Sequence, residues 1–260
     1  MVEQELVKLQ EQLRIIKEMG WIRNRRSGNV GGVGNTLEDL LEIAENNHQL
    51  PDFGLWELKS QRSNTASLLT LFHSEPKPRA ARIVPSILLP KYGWAHQEAG
   101  SRYSDNERSF RQTISANGYS DRGFKVSIDY PANKVLISFD FSKIDNRHAE
   151  WKSNIQQNIG TNIIEPTPFW TFSEIEEKLN NKLKNLMYVS AKTKIIDGSE
   201  YFLYDQIQAF IGPSIEKFLS LLEEGALYVD FDARTGHNHG TKFRIRSIRK
   251  CDLYKRHISV

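Results

Sequence analysis

The sequence predicts a mixed fold, α/β or α+β, built on a central mixed β-sheet flanked by helices, and three observations carry that prediction. Some stretches place apolar residues at three- and four-residue spacings, and others alternate apolar with polar. The two kinds of stretch are interleaved along the chain. Two alternating runs flank Pro131-Ala132-Asn133, the pattern of an antiparallel hairpin. With 260 residues, the chain has the length for one domain with a sizeable core.

The elements follow in order. Val2, Leu6, Leu9, Leu13, Ile16 and Met19 form one apolar stripe, so residues 2–19 read as an amphipathic helix that Gly20 stops. Residues 21–35 (WIRNRRSGNVGGVGN) are glycine-rich and basic, and they lack the Gly-Lys-Ser/Thr ending of a nucleotide-binding P-loop. Thr36 with Asp39 resembles a capping box, opening a helix to about Asn46, and the turn Asn46–Pro51 follows. Phe53–Lys59 and 66–73 read as strands. Residues 76–94 mix prolines, basic residues and aromatics, and 95–109 are loop-like. The hairpin at 122–141 is assigned to the sheet, while 142–170 shows no period. Ser173 with Glu176 opens a helix to about Asn185, and a strand follows at 186–195. Pro213 and Gly225 bracket another helix, before strands at 226–231 and 241–246.

Composition narrows the function. Lys plus Arg number 35 against 32 Asp plus Glu, a formal charge of +3. The basic residues are grouped: Arg23, Arg25 and Arg26; Lys77, Arg79, Arg82 and Lys91; Lys242, Arg244, Arg246, Arg249 and Lys250. Basic segments on a nearly neutral chain suit a polyanion. The single cysteine, Cys251, excludes an intramolecular disulfide and fits a reducing compartment. No apolar run approaches the roughly 18 residues of a membrane span, and the N-terminal residues are charged rather than signal-like. A cytoplasmic protein is expected.

The chemistry centres on Pro51-Asp52-Phe53-Gly54-Leu55-Trp56-Glu57-Leu58-Lys59. In an extended chain, side chains alternate, so Leu55, Glu57 and Lys59 share one face and Trp56 and Leu58 the other. Asp52 reaches the same point from the strand entrance, and Glu38 approaches from the preceding helix. Two carboxylates with the Leu58 backbone carbonyl are hard oxygen donors for Mg²⁺, and Lys59 faces a phosphate or the attacking water. Spacing alone is weak: Glu176-x-Lys178 repeats the tail, yet on a helix residues two apart diverge. His237-Asn238-His239 is no structural zinc site without cysteines nearby. That loop leads into a basic strand whose Arg244 has the donors to read a guanine.

Taken together, these segments resemble a known family. GNVGGVGNTLEDLLE, PDFGLWELKS and SLLTLF, with the C-terminal HNHGTKFRI, are similar to the MvaI/BcnI family of type II restriction endonucleases, relatives of the nickase MutH with a PD-(D/E)xK nuclease core. The resemblance runs end to end, with a weakly matched middle. It implies a MutH-like fold with a DNA-binding cleft between two lobes of a single domain spanning 1–260. The catalytic lobe would centre on about 1–75 with parts of the middle sheet, and the recognition region on about 171–260.

It further implies catalysis by Asp52, Glu57 and Lys59 with Glu38 as an extra acid, and a metal held by Asp52, Glu57 and the Leu58 carbonyl. The ion would be Mg²⁺, with Mn²⁺ substituting. The expected partner is double-stranded DNA, contacted through His73, Arg79, Arg82, Asp230, His237, Asn238, His239, Lys242 and Arg244. A monomer would cut the strands of a CCNGG-like site sequentially in a prokaryotic cytoplasm, alongside a separate DNA methyltransferase. His73 follows Leu-Thr-Leu-Phe as on the BcnI side of the family, favouring a C/G centre. Asn238 departs from the family's Asp, exchanging an acceptor for an amide that also donates. The alternatives are a MutH-like repair nickase and a catalytically silent DNA-binding protein.

Overall fold

The structure, a computed structural model, describes residues 2–26, 31–43 and 51–259. The chain divides into two compact units: Met1–Ser67, Glu177–Ser214 and Lys250–Val260 form one, and Leu68–Glu176 with Ile215–Arg249 form the other. Among the described residues no helix is long and apolar enough to cross a membrane.

In the first unit, helix α1 (Val2–Glu18) forms as the stripe predicts: Leu9, Leu13 and Ile16 are buried, and Gly20 follows at φ +72°, a left-handed conformation that costs glycine little. Helix α2 (Gly32–Leu40) starts earlier than expected. Gly31 is its N-cap, and Thr36 lies buried inside it rather than capping it. Asp39 pairs instead with Arg26 at 2.9 Å. The helix stops at Leu40, short of the expected Asn46, and Glu42 sits at φ +56°. Residues 27–30 of the basic loop and the turn expected at 46–50 lie outside the described residues.

These helices cover one face of a five-stranded mixed sheet. Ser199–Pro213 pairs with Asn185–Ile196 along one side and with Ile22–Arg23 and Tyr254–Ser259 along the other. Asn185–Ile196 then pairs in parallel with the edge strand Glu57–Arg62. A parallel pair needs a long crossover, and here the intervening chain includes Leu68–Glu176 of the other unit. Trp56, Leu58, Met187, Val189 and Ala191 join Leu9, Leu13, Val33 and Leu37 in the core. Alternation therefore turns Glu57 and Lys59, in register with Leu186 and Tyr188, to the opposite face.

The second unit holds a six-stranded antiparallel sheet in the order Leu69–His73, Lys242–Ile245, Leu227–Arg234, Arg108–Ile114, Trp94–Ala95, with His237–Asn238 paired to Leu227–Arg234. The hairpin forms from Arg122–Asp129 and Lys134–Ile144, but it joins Phe169–Thr171 in a separate three-stranded sheet rather than the expected central one. Aromatic rings fill the interior: Phe72, Phe218, Phe243 and Trp170 pack together, as do Tyr92, Phe110, Phe124 and Phe139. Helix Ile215–Glu223 buries Phe218, Leu219, Leu221 and Leu222, and Gly225 follows at φ +68°. The fold is mixed α+β, as predicted, distributed over three sheets among the described residues.

Candidate active site

The approach to the motif strand is a tight turn. Phe53 and Trp56 exchange both backbone hydrogen bonds, at 2.9 and 2.8 Å, and Gly54 adopts φ +57°. A Cβ on Gly54 would stand 2.7 Å from the Glu5 carboxylate, which accepts the Leu55 N–H at 3.0 Å. The strand therefore starts at Glu57, not Phe53. Leu55 lies in the turn, 41% exposed, and is not on the Glu57 face as expected. Asn185, itself buried, pins the turn by donating to the Leu55 carbonyl at 3.0 Å.

Glu57 is 2% exposed. Its Oε1 accepts from Lys59 Nζ at 2.8 Å and lies 3.5 Å from Lys182 Nζ, while its buried Oε2 has no hydrogen-bond partner among the described residues. Burial pushes the Glu57 carboxyl above the usual range; Lys59 draws it back, and the charge of Asp52 raises it again. Asp52 Oδ2 accepts the Leu58 N–H at 3.0 Å. In an extended strand a residue's N–H and C=O point to the same side. The Leu58 carbonyl thus shares the open sheet edge with Asp52, away from Asn185–Ile196.

The strand's geometry brings Asp52, Glu57 and Lys59 together, whereas Glu38 comes from a helix. It is carried on α2, where the space beside Gly34 lies between the Ser60 hydroxyl and the Glu38 carboxylate, 3.5 and 4.0 Å from an added Cβ. Ser60 alternates with Glu57 and Lys59 along the strand. Among the described residues no three His, Cys, Asp or Glu side chains converge to hold a metal. The oxygen set beside Lys59 is two carboxylates and a backbone carbonyl. It fits a hard divalent cation, and the orphaned Oε2 of Glu57 is the atom that most needs one. Lys182 was invisible to motif reading: it ends helix Phe172–Lys182, and no local spacing announces a contact so distant in sequence.

The second unit carries the remaining candidates. His73 lies opposite Lys242 in the pairing of Leu69–His73 with Lys242–Ile245, and Arg244 lies opposite Thr70. Lys242 stands 3.4 Å from Asp232, which also pairs with Arg111 at 2.7 Å. Asp230 accepts from Thr113 at 2.6 Å and from Arg244 at 3.2 Å. Arg244 donates its other terminal nitrogen to the Leu68 carbonyl at 2.9 Å, so the fork expected to read a guanine is engaged within the protein. His237 and His239 meet edge to face at 4.2 Å. Asn238 spans Glu75, at 3.5 Å, and the Gly240 N–H, at 3.0 Å. Arg79 reaches Ser74 and Glu174, and the exposed Arg82 sits at φ +47°.

A family model, that of the MvaI/BcnI restriction endonuclease family, matches residues 10–254. The chain belongs to the MvaI/BcnI restriction endonuclease family. The matched span runs from within α1 to the start of the strand Tyr254–Ser259, so it contains both the Asp52–Lys59 segment and Lys242–Ile245. Among solved structures, the restriction endonuclease MvaI–cognate DNA substrate complex is similar at a TM-score of 0.78 and 26% identity, covering 98% of this chain and 97% of that one. MvaI in the absence of DNA gives a TM-score of 0.51 at 23% identity over the same shares of both chains, a likeness of fold alone. Comparison with the curated proteins finds no match. Membership in the MvaI/BcnI family makes the protein a nuclease of the restriction class.

Proposed function

We propose that this protein is a divalent-metal-dependent type II restriction endonuclease that hydrolyses double-stranded DNA at a short pseudo-palindromic site. The observation that carries the reading is the buried Glu57, joined to Lys59 beside Asp52, with one carboxylate oxygen uncommitted. A phosphodiester resists attack because negative charge accumulates in the transition state while an alkoxide must leave. A bound divalent cation lowers the pKa of water and offsets that charge. Asp52, Glu57 and the Leu58 carbonyl would hold it, and an all-oxygen set suits Mg²⁺, with Mn²⁺ as substitute.

The Lys59 ammonium, fixed by Glu57 at 2.8 Å, orients the attacking water and faces the phosphate. Water adds to phosphorus, the bond to the 3′ oxygen breaks, and that oxygen takes up a proton, leaving a 5′-phosphate end. Glu38 acts from α2 as an outer acid. DNA is contacted through His73, Arg79, Arg82 and the segment from Asp230 to Arg244; Arg244 exchanges Asp230 or the Leu68 carbonyl for a base edge. The site is of CCNGG type with a C/G centre, cut by a monomer one strand at a time in the cytoplasm of a prokaryotic cell, whose own DNA a separate methyltransferase protects.

Digestion of a phage genome with Mg²⁺, followed by sequencing of the ends, tests this directly. Discrete fragments sharing one short sequence are expected. A continuous smear overturns site specificity, and nicking that requires an added protein points instead to a MutH-like repair enzyme. Lys59→Ala and Asp52→Ala are expected to abolish cleavage while specific binding survives. No cleavage by the wild type with Mg²⁺ or Mn²⁺ across varied DNA marks a silent DNA-binding protein.

A further inference from the structure

Glu57 Oε1 faces two ammonium groups, Lys59 Nζ at 2.8 Å and Lys182 Nζ at 3.5 Å. The two lysines differ in what anchors them. Lys59 extends from the motif strand, whereas Lys182 closes helix Phe172–Lys182, held by the fully buried Leu179 and Leu183 on either side. A cation at a helix C-terminus is favoured by the exposed carbonyls there. Asn185 follows at the start of the neighbouring strand, so the short segment 182–185 meets the Glu57 carboxylate through Lys182 and holds the turn before Glu57 through Asn185.

Charge counting gives Lys182 a purpose. Once Lys59 shares its three donors and its charge with water and phosphate, its hold on Oε1 weakens, and a carboxylate that is 2% exposed then needs a second counter-charge. We infer that Lys182 is a positioning residue that retains Glu57 Oε1 while Lys59 turns to the substrate, keeping Oε2 presented to the cation. This rests on the proposed roles of Glu57 and Lys59.

The test compares Lys182→Met, Lys182→Arg and Lys59→Ala in the full-length protein. DNA affinity is measured without divalent cation, Mn²⁺ affinity of the DNA complex by electron paramagnetic resonance of free Mn²⁺, and cleavage under single turnover. Loss of an interaction that orients a metal ligand costs about 10- to 100-fold in metal affinity or activity. Lys182→Met is therefore expected to weaken Mn²⁺ binding and slow cleavage by about that factor with DNA affinity unchanged, and Lys182→Arg to restore most of both. Wild-type Mn²⁺ affinity and rate in Lys182→Met overturn the inference, provided Lys59→Ala is inactive; an active Lys59→Ala overturns the underlying reading of the site instead. If Lys182→Met does not fold, the arginine variant decides: a folded Lys182→Arg with Mn²⁺ affinity and cleavage near wild type supports a role for the charge, and one as impaired as Lys59→Ala overturns it.

Discussion

Asp52 Oδ2 accepts the backbone N–H of Leu58 at 3.0 Å, so the first acid of the motif is tied to the strand that carries the second. An asparagine side chain preserves that hydrogen bond through its own oxygen while losing the charge. Asp52→Asn should keep the melting temperature within about 4 °C of wild type. Cleavage should fall about a thousand-fold or more, the scale of several kcal/mol of charge stabilisation. Single-turnover cleavage alongside thermal melting checks both; full activity would remove Asp52 from the chemistry.

Asn185 is a structural hinge pin of the same region. Its amide donates to the Leu55 carbonyl at 3.0 Å from a buried position. Asn185→Ala strands that carbonyl and should cost about 1–2 kcal/mol of stability, read as a lower urea midpoint. Cleavage should slow as well, because the turn that aims Glu57 loosens.

Acid stability has a traceable source at Glu200. The Arg62 guanidinium hydrogen-bonds its carboxylate at 2.9 and 3.0 Å and, helped by Asn24, holds it below the usual range despite partial burial. A depressed folded-state pKa contributes stability above the unfolded value of about 4.3, and that contribution is lost as pH falls through the folded value. Glu200→Gln should therefore be less stable than wild type at pH 7, with the difference shrinking as pH falls below about 4. Urea titrations across that range measure it.

Asn238 joins its loop to Glu75 through the amide nitrogen and to the Gly240 N–H through the oxygen. Asn238→Asp keeps the second contact and sets a carboxylate against Glu75 in place of the first. As a base reader, the variant should change preference at one position of the DNA site by about 10- to 100-fold, measured by sequencing cut ends from a randomised library. An unchanged preference assigns Asn238 to loop structure alone.

The sequence showed its local patterns and hid its distant contacts. Alternation placed Glu57 and Lys59 on one face because a strand's period is a property of a few consecutive residues. The strand Ser199–Pro213 went unseen because its period breaks: Phe202 and Tyr204 are buried, then a bulge at Asp205 resets the alternation to Ile207 and Ala209. Helix α2 begins before the sequence suggests because Gly32 reads as a loop residue. In the structure Gly32 serves close packing, since a Cβ there would stand 2.6 Å from the Asn24 amide. Helix Ala149–Asn158 shows no stripe because Ile155 is its only buried residue.

The first unit draws its sheet from widely separated parts of the chain, with Glu57–Arg62, Asn185–Ile196 and Tyr254–Ser259 all required. On the ribosome, Asp52, Glu57 and Lys59 emerge long before the strand beside them and before Lys182, and the sheet is finished only when Tyr254–Ser259 is made. A half-made chain carries Asp52, Glu57 and Lys59 without the neighbouring strand and Lys182 that position them. The order of synthesis thus delivers the motif first and completes the sheet around it last.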